Sequence, residues 1–173
     1  MLMGEKVNIR PLERCDLGWF TLWNNDPDYK GQFEPLENNT LEEIESWFDS
    51  EKKTESWVIT DKQNRPVGQL IIGPQGDYYW VGYIIHQDYR GKGYATEAVK
   101  LIIDYLFETK DIVRIQAECN PENYASVQVL EKAGFTYEGL KRKASLIQGI
   151  YMDGAIYSTL REEWETGKRI HRT

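Results

Sequence analysis

The stretch from Tyr79 to Val99 limits the possible folds of this chain more than any other. An apolar strand, Tyr79–Ile85, leads into a polar loop that carries Arg90-Gly91-Lys92-Gly93, and a long helix begins near Tyr94. The first backbone N–H groups of a helix have no partner within the helix, and the helix dipole favours negative charge at that end. Two glycines and two cations at this position therefore predict an anion site, and hence a ligand that carries phosphate.

Size and charge exclude several classes of protein. The 173 residues are predicted to form a single domain, 1–173. A net charge of -7 and a pI near 5.0 argue against a general nucleic-acid binder, which needs a basic face. No apolar run approaches the ~18 residues of a membrane span, and the N-terminus lacks a signal-peptide core, so we expect a cytoplasmic protein without a membrane partner.

The cysteine and histidine content predicts neither a disulfide framework nor a metal site. Cys15 and Cys119 are interpreted as two ordinary thiols. His, Cys and Asp residues are not grouped at metal-ligand spacing, so no metal is predicted.

Hydrophobic periodicity predicts an α/β (α+β) domain with a mainly antiparallel sheet. A capping box at Thr40–Glu43 opens one helix, and apolar residues at helical spacing follow the glycine loop. The predicted strands are 7–11, 56–61, 67–72, 79–85, 113–120, 135–146 and 150–160, and the predicted helices follow Asp16, Thr40, Gly93 and Asn123.

Three known phosphate-binding motifs differ in the spacing of their glycines, and the loop fits one of them. A P-loop motif is missing, and a dinucleotide fingerprint fails because its third glycine position holds Thr96. The loop does fit Arg/Gln-x-x-Gly-x-Gly/Ala, as Arg90, Gly93 and Ala95. At this point the chain resembles the GNAT superfamily of N-acetyltransferases.

A second block supports this resemblance. The segment Asn120-Pro-Glu-Asn-Tyr-Ala-Ser-Val-Gln-Val-Leu-Glu-Lys-Ala-Gly-Phe135 is similar to the family's Asn-x-x-Ser/Ala…Glu-Lys-x-Gly-Phe segment. Tyr137-Glu-Gly139, Tyr151-Met-Asp-Gly and Glu163-Trp164 resemble the branch that acetylates the N-termini of ribosomal proteins. The resemblance covers a core of about 7–164. It implies a mixed, mostly antiparallel sheet of seven strands, flanked by about four helices, with splayed central strands.

The resemblance also implies the donor and its site. Acetyl-CoA is expected as co-substrate, in a V between the strands that end at Ile85 and Asn120. The pantetheine arm is expected to bond the free strand edge as an added strand does, and glycines let the loop backbone approach the pyrophosphate. Arg90 has a structural alternative, as an ion pair with Asp88 or Glu97. The implied cofactor-binding residues are Tyr83, Ile84, Ile85, Arg90, Gly91, Lys92, Gly93, Tyr94, Ala95, Asn123 and Ser126.

Acetyl transfer to an amine requires a neutral nucleophile, a stabilised oxyanion and a proton for the leaving thiolate. A backbone N–H at a strand bulge near Ile84 or Ile85 is the expected oxyanion donor. Glu118 is the predicted base, since it matches the glutamate of some relatives; its alternative is a surface ion pair with Arg114 or Lys132. Asp153 and Glu138 are weaker candidates.

The proton donor is less clearly indicated. Many relatives have a tyrosine where this chain has Leu130, which cannot donate a proton. Relatives in the ribosomal branch carry a serine at the place of Ser126, one helical turn earlier. Ser126 is therefore the predicted catalytic residue that hydrogen-bonds the thiolate sulfur, with a plain surface serine as its alternative and Tyr124 as a remoter option. Asn123 is expected to bond the pantetheine, to cap its helix, or both. His86 is interpreted as structural rather than catalytic.

The acceptor is predicted to be a primary amine. A protein or peptide N-terminal amine is the first choice, and a small cationic amine such as a polyamine or aminoglycoside is the alternative. A hypothesis from another class is a non-catalytic sensor that binds acyl-CoA. Leu130, which stands where many relatives have a proton-donating tyrosine, leaves this hypothesis open. Oligomeric state is left open, with a homodimer as one option. Trp19, Trp23, Phe33 and Trp47 are assigned to the core or to the acceptor wall, and Glu34 and Glu37 to solvent or to a cationic acceptor.

Overall fold

The structure is a computed structural model that describes residues 1–50 and 54–171. The strands are β1 (Leu2–Met3), β2 (Val7–Pro11), β3 (Glu55–Asp61), β4 (Pro66–Gln75), β5 (Tyr78–Ile85), β6 (Arg114–Cys119), β7 (Thr136–Ile147) and β8 (Ile150–Leu160). The helices are α1 (Leu17–Asn24), α2 (Pro27–Lys30), α3 (Leu41–Asp49), α4 (Tyr94–Thr109), α5 (Tyr124–Ala133) and α6 (Arg161–His171), with 3-10 turns at Arg14–Asp16 and Gln87–Tyr89.

The strands of the described residues form one sheet in the order β1-β2-β3-β4-β5-β6-β8-β7. All neighbours are antiparallel except β5 and β6, which run parallel. The predicted α/β fold is therefore confirmed. The eighth strand, β1, was not predicted, because two residues are too few to show a sequence period. The short helix α2 lies in a segment that was predicted to be a loop.

The parallel pair β5–β6 splays after a short contact. The two strands are hydrogen-bonded neighbours only where Tyr79 faces Ile115 and Trp80 faces Gln116. Beyond these residues each strand remains paired on its other side, β5 with β4 and β6 with β8. A V-shaped opening results between the carboxyl ends of β5 and β6.

Helix α4 covers one face of the sheet and carries the glycine loop at its start. Its buried residues Ala98, Val99, Ile102 and Leu106 have no exposed surface and belong to the main core with the apolar side chains of β2 to β6. Burying a side chain of this kind stabilises a fold by roughly 1.5–3 kcal/mol. This packing fixes α4 against the sheet and thereby fixes the position of the glycine loop that precedes it.

The predicted ends of α5 and the predicted turn between β7 and β8 are confirmed. Asn123 caps α5 by accepting the backbone N–H of Ser126 at 3.2 Å, and Gly134 ends the helix in the left-handed region. Gln148 and Gly149 form the two-residue turn between β7 and β8, and both have positive φ, as this type of hairpin turn requires. None of the helices in the described part of the chain is long and apolar enough to cross a membrane.

Candidate active site

A groove of about 870 Å³ occupies the V between β5 and β6. On the β5 side it is bounded by the glycine loop and the start of α4. On the β6 side it is bounded by α5 and by the β7–β8 hairpin, and the end of α2 with the segment that follows it also lines the groove. The lining segments are 30–35, 81–85, 89–91, 93–96 and 117–120, together with residues of 123–132 and of 145–154.

The groove exposes backbone hydrogen-bonding groups along β5. Neighbouring residues of an antiparallel strand direct their N–H groups to opposite sides. His86 donates its N–H to Val67 of β4, so Ile84 also faces β4, whereas Tyr83 and Ile85 present their N–H groups to the groove. The β4–β5 register is unbroken to Ile85, so the bulge predicted near Ile84 or Ile85 is wrong: splaying alone frees these groups. Of the two predicted oxyanion donors, only the N–H of Ile85 faces the groove.

The loop before α4 presents a second set of N–H groups. Gly91 and Gly93 have φ values of +76 and +80, in the left-handed region that favours glycine. The first helical hydrogen bond runs from the N–H of Glu97 to the carbonyl of Gly93 at 3.2 Å. The N–H groups of Tyr94, Ala95 and Thr96 therefore have no partner within the helix and point out of its end, as an anion site requires.

The two cations of the loop have different environments. Arg90 donates to the backbone carbonyls of Ile85 and Tyr29, both at 2.9 Å, so neither predicted ion pair, with Asp88 or with Glu97, is present. Its backbone N–H is also engaged, by the carbonyl of Gln87. Arg90 thus fixes the loop, and its role in binding phosphate by charge stays a prediction.

Lys92, unlike Arg90, is not among the residues that line the groove, and its role in binding phosphate also stays a prediction. Its Nζ donates to the carbonyl of Asp88 at 3.2 Å and lies 5.1 Å from the centre of the Tyr89 ring. These two contacts hold the Lys92 ammonium group near the loop, where a positive charge favours the binding of phosphate.

The N-terminal segment supports the loop from behind, a role that was not predicted. Glu97 accepts the backbone N–H groups of Glu5, Lys6 and Val7 at 2.8, 2.8 and 2.7 Å. The Nζ of Lys6 lies 3.5 Å from the carbonyl oxygen of Lys92. The sequence holds no local signal for these contacts, because more than 80 residues separate the partners.

Ser126 lines the groove together with the phenol of Tyr83 and the thiol of Cys119. Its Oγ is 2.8 Å from the Tyr83 hydroxyl, which also donates to the Ser126 carbonyl at 3.2 Å. Burial raises the pKa of Tyr83, so the phenol stays protonated at any working pH. Burial also raises the pKa of the Cys119 thiol, while a hydrogen bond with Ser126 acts in the opposite direction. Ser126 is thus a half-buried, hydrogen-bonded serine rather than a solvated one.

The other residues considered on α5 or at its N-cap, namely Asn123, Tyr124 and Leu130, differ in their environments. Asn123 lines the groove and caps α5, so its capping role is observed, and a bond to the pantetheine stays a prediction. Leu130 is almost completely buried, and Tyr124 is 73% exposed and does not line the groove. The phenol that lies at Ser126 therefore belongs to Tyr83 of β5 and not to α5.

Glu118 reaches the groove from the carboxyl end of β6. Its Oε2 accepts a hydrogen bond from Lys141 of β7 at 2.8 Å, so both ion pairs considered for it, with Arg114 and with Lys132, are absent. Gly154 of β8 leaves room for this carboxylate: a Cβ there would lie 2.1 Å from the Glu118 Oε1. Lys141 and Gly154 were not singled out in the sequence, because strand pairing brings them to Glu118.

The weaker candidates for the base have other partners. Arg114 contacts Glu138 through two hydrogen bonds of 2.6 and 2.5 Å and, with Ser158, lowers its pKa to about 2. Glu138 does not line the groove, so it is a poor base. Asp153 lines the groove, and its carboxylate accepts the backbone N–H of Lys143 at 2.7 Å.

Most of the aromatic residues considered for the acceptor wall pack elsewhere. Phe33 lines the groove, whereas Trp19 and Trp47 pack against the small cluster formed by α1 and α3. Trp23 packs against Tyr29 and His86, with ring centres 5.2 and 4.7 Å away. His86 is thus part of an aromatic cluster, in agreement with its structural interpretation.

Comparison with known proteins identifies the family. Residues 6–136 match the model of the acetyltransferase (GNAT) domain. The chain is 30% identical to a probable N-acetyltransferase, YjcK, of Bacillus subtilis over 95% of its own length and 99% of that protein. It is 34% identical to a ribosomal protein uS5-alanine N-acetyltransferase of Escherichia coli, over 51% of this chain and 46% of that protein. The chain belongs to the GNAT family, and the predicted recognition is confirmed.

Solved structures agree with this assignment. A GNAT-family acetyltransferase from Bacillus anthracis superimposes with a TM-score of 0.80 at 27% identity, covering 93% of this chain and 98% of that one. A spermidine N-acetyltransferase from Vibrio cholerae, solved with CoA and spermine, gives a TM-score of 0.83 at 23% identity, covering 92% and 98%, and shares the fold. The protein is therefore an N-acetyltransferase, which favours the enzyme over the non-catalytic sensor.

Proposed function

We propose that the protein transfers the acetyl group of acetyl-CoA to the α-amine of a protein or peptide N-terminus. The donor lies in the V, with its pyrophosphate at the N–H groups of Gly91 to Ala95 and its pantetheine along Tyr83 to Ile85. The N–H groups of Tyr83 and Ile85 face the groove, those of Tyr94, Ala95 and Thr96 point out of the helix end beside it, and the alternation of amides along the pantetheine suits an open strand edge. The family supports this donor, since its members are N-acetyltransferases.

The chemistry is direct attack in a ternary complex. Glu118 takes the proton of the amine, and the N–H of Ile85 bonds the developing oxyanion. The Ser126 hydroxyl donates a hydrogen bond to the leaving thiolate, which takes up its proton from solvent. Tyr83 remains protonated and holds the Ser126 hydroxyl in place. One preorganised donor to an oxyanion is typically worth about 3 kcal/mol.

The ion pairing and burial of the carboxylates near the acceptor side favour an α-amine as the acceptor. Glu118 is paired with Lys141 at 2.8 Å and Glu37 with Lys30 at 3.3 Å. Burial raises the pKa of Glu34, which weakens it as a cation site. A polyamine needs several ionised carboxylates that are free to bind it. An α-amine needs less, because about 10% is already neutral at pH 7, given its pKa near 7.7–8.0.

A small cationic amine is the second candidate, and Glu34 is the observation that favours it. This half-buried carboxyl lines the groove beside Lys30. If acceptor binding ionises it, it supplies one site for an ammonium group.

The two candidates are separated by acetylation assays. The protein is incubated with acetyl-CoA and either peptides that begin with Ala or Ser, the same peptides with a blocked N-terminus, or spermidine. Release of free thiol gives the rate, and mass spectrometry locates the acetyl group. We expect Nα-acetylation of the free peptides only. Faster acetylation of spermidine than of every peptide would overturn the proposal.

A further inference from the structure

The β7–β8 hairpin contains a bulge of three residues, which is separate from the two-residue turn that closes the hairpin. Lys141 pairs with Gly154 and Ser145 pairs with Met152, so Arg142, Lys143 and Ala144 together face only Asp153. Bulges of this kind bend a strand and redirect its side chains, often next to active sites.

The backbone of the bulge is fixed by one contact. Lys143 has a φ of +51, a left-handed conformation that is unfavourable for lysine. Its N–H donates to the Asp153 carboxylate at 2.7 Å, and a hydrogen bond to an ionised acceptor is among the stronger ones. The conformation is therefore maintained by a charged partner that itself lines the groove.

The bulge lies at the rim of the groove, on the side away from the glycine loop. The sheet order places β5 and its loop on one side and β8 and β7 on the other. Asp153, Gly154 and Ser145 line the groove beside the bulge. Lys141, which precedes the bulge, contacts the proposed base Glu118, so the bulge adjoins the place where the amine is deprotonated.

The rim carries charges of both signs, because the carboxylates of Glu118 and Asp153 line the groove next to the exposed cations of the bulge. Lys141, Arg142 and Lys143 are three consecutive exposed cations in a chain whose net charge is -7. Cations at this rim repel a polyamine and attract a carboxylate. A peptide whose N-terminal amine lies at Glu118 extends by about 3.3 Å per residue. Its second to fourth residues then pass the bulge.

We infer that the bulge selects acceptor peptides that carry acidic side chains immediately after the N-terminal residue. This inference rests on the proposed function and specifies its substrate class. Arg142 and Lys143 bind the acidic side chains. Lys141 stays on Glu118 and keeps the base next to the amine.

The test uses three peptides that are identical except at positions two to four, where they carry Asp, Asn or Lys. Values of kcat/KM are compared for the wild type, for the double variant Arg142→Gln/Lys143→Asn, and for Lys100→Gln. Asparagine is chosen at position 143 because it tolerates the left-handed conformation. Lys100 is an exposed cation on α4 and serves as the control. Arg142→Gln alone repeats the test without any change at the strained position.

The wild type and Lys100→Gln are expected to prefer the Asp peptide over the Asn peptide by at least about fivefold at low salt, with the Lys peptide the poorest, because rim ion pairs are worth up to ~1 kcal/mol each. The preference should weaken at high salt and fall to near one in the double variant. Equal rates for the three wild-type peptides, or a preference that survives in the double variant, would overturn the inference. A fivefold rise in the KM for acetyl-CoA in the double variant would also overturn it, by assigning the bulge to the donor.

Failure of the proposed function gives a different result. In that case none of the three peptides supports thiol release above the rate without an acceptor, while spermidine does.

Discussion

The two sides of the groove are built from different parts of the polypeptide. On the proposed donor side, the groove presents backbone N–H groups, which glycine φ values and a helix end leave without a partner in the helix. On the proposed acceptor side, it presents side chains of β6, β7 and β8 that are paired with each other, such as Glu118 with Lys141. A backbone site suits a constant ligand, whereas a side-chain site can change its preference by single substitutions.

The largest effect is expected from Gly93→Val. Valine is strained at a φ of +80, and its side chain holds the loop away from the phosphates. Loss of two or three charge-assisted hydrogen bonds should weaken acetyl-CoA binding by a factor on the order of 100, as measured by calorimetry.

Gly76→Val is the matched control for this experiment. Gly76 has a φ of +62 in the turn between β4 and β5, and it does not line the groove. The control should lose similar stability and keep its affinity. Unchanged affinity in Gly93→Val would contradict a backbone cradle.

On the acceptor side, Glu118→Gln should lower kcat about 100-fold at pH 7, because the general base is lost, and leave the affinity for acetyl-CoA unchanged. The deficit should grow as the pH falls, since less of the amine is then neutral. Glu131→Gln, an exposed carboxylate on α5, is the control. Equal rates for Glu118→Gln and wild type across the pH range would exclude Glu118 as the base.

Gly154→Ala tests the position of the same carboxylate. The added Cβ would lie 2.1 Å from the Glu118 Oε1, and this flexible end can move aside. We expect kcat to fall about tenfold, part of the general-base contribution, with little change in thermal stability. A normal kcat would show that the position of the carboxylate seen here does not matter for the reaction.

The hydrogen bond to the leaving thiolate should give an intermediate effect. Ser126→Ala should lower kcat about tenfold and Tyr83→Phe about threefold, because a hydrogen bond to a charged group is worth roughly 1.5–3 kcal/mol. Because Tyr83 acts through the Ser126 hydroxyl, the double variant should be no slower than Ser126→Ala. Additive losses would show that Tyr83 acts independently of Ser126.

The smallest effect concerns the ion pair Arg114–Glu138, which ties β7 to β6. The Glu138 pKa falls from 4.5 to about 2, so the stabilisation is present above about pH 4.5 and is lost as the pH falls towards 2. The pair is partly exposed, so Glu138→Gln should lower the free energy of unfolding by less than about 1 kcal/mol at pH 7. Urea unfolding should show the difference vanishing near pH 2. A difference that is constant with pH would contradict the assigned cause.

The sequence predicted the local structure of the glycine loop and of the helix ends well, because its determinants are close together in the chain. The strand, the two glycines and the start of α4 are consecutive, and the cap at Asn123 is three residues from its partner. The exception is Arg90, whose guanidinium binds the carbonyl of Tyr29, 61 residues away.

The acceptor side was predicted poorly because its contacts depend on strand register. Glu118 meets Lys141 only because β6 and β7 both pair with β8, and a shift of one residue would turn either side chain to the other face. The choice between Ile84 and Ile85 depends on the same kind of information, since only the pairing with β4 shows which N–H faces the groove.

Amide hydrogen exchange tests the contrast between the two sides most directly. Exchange rates are measured for the free protein, with acetyl-CoA, and with CoA and an acceptor peptide. Acetyl-CoA is expected to slow exchange at Ile85 and at Gly91 to Thr96 and to leave the bulge at 142–144 unchanged, whereas the peptide should slow exchange in the bulge. Protection of the bulge by acetyl-CoA alone, without protection of the glycine loop, would contradict the account.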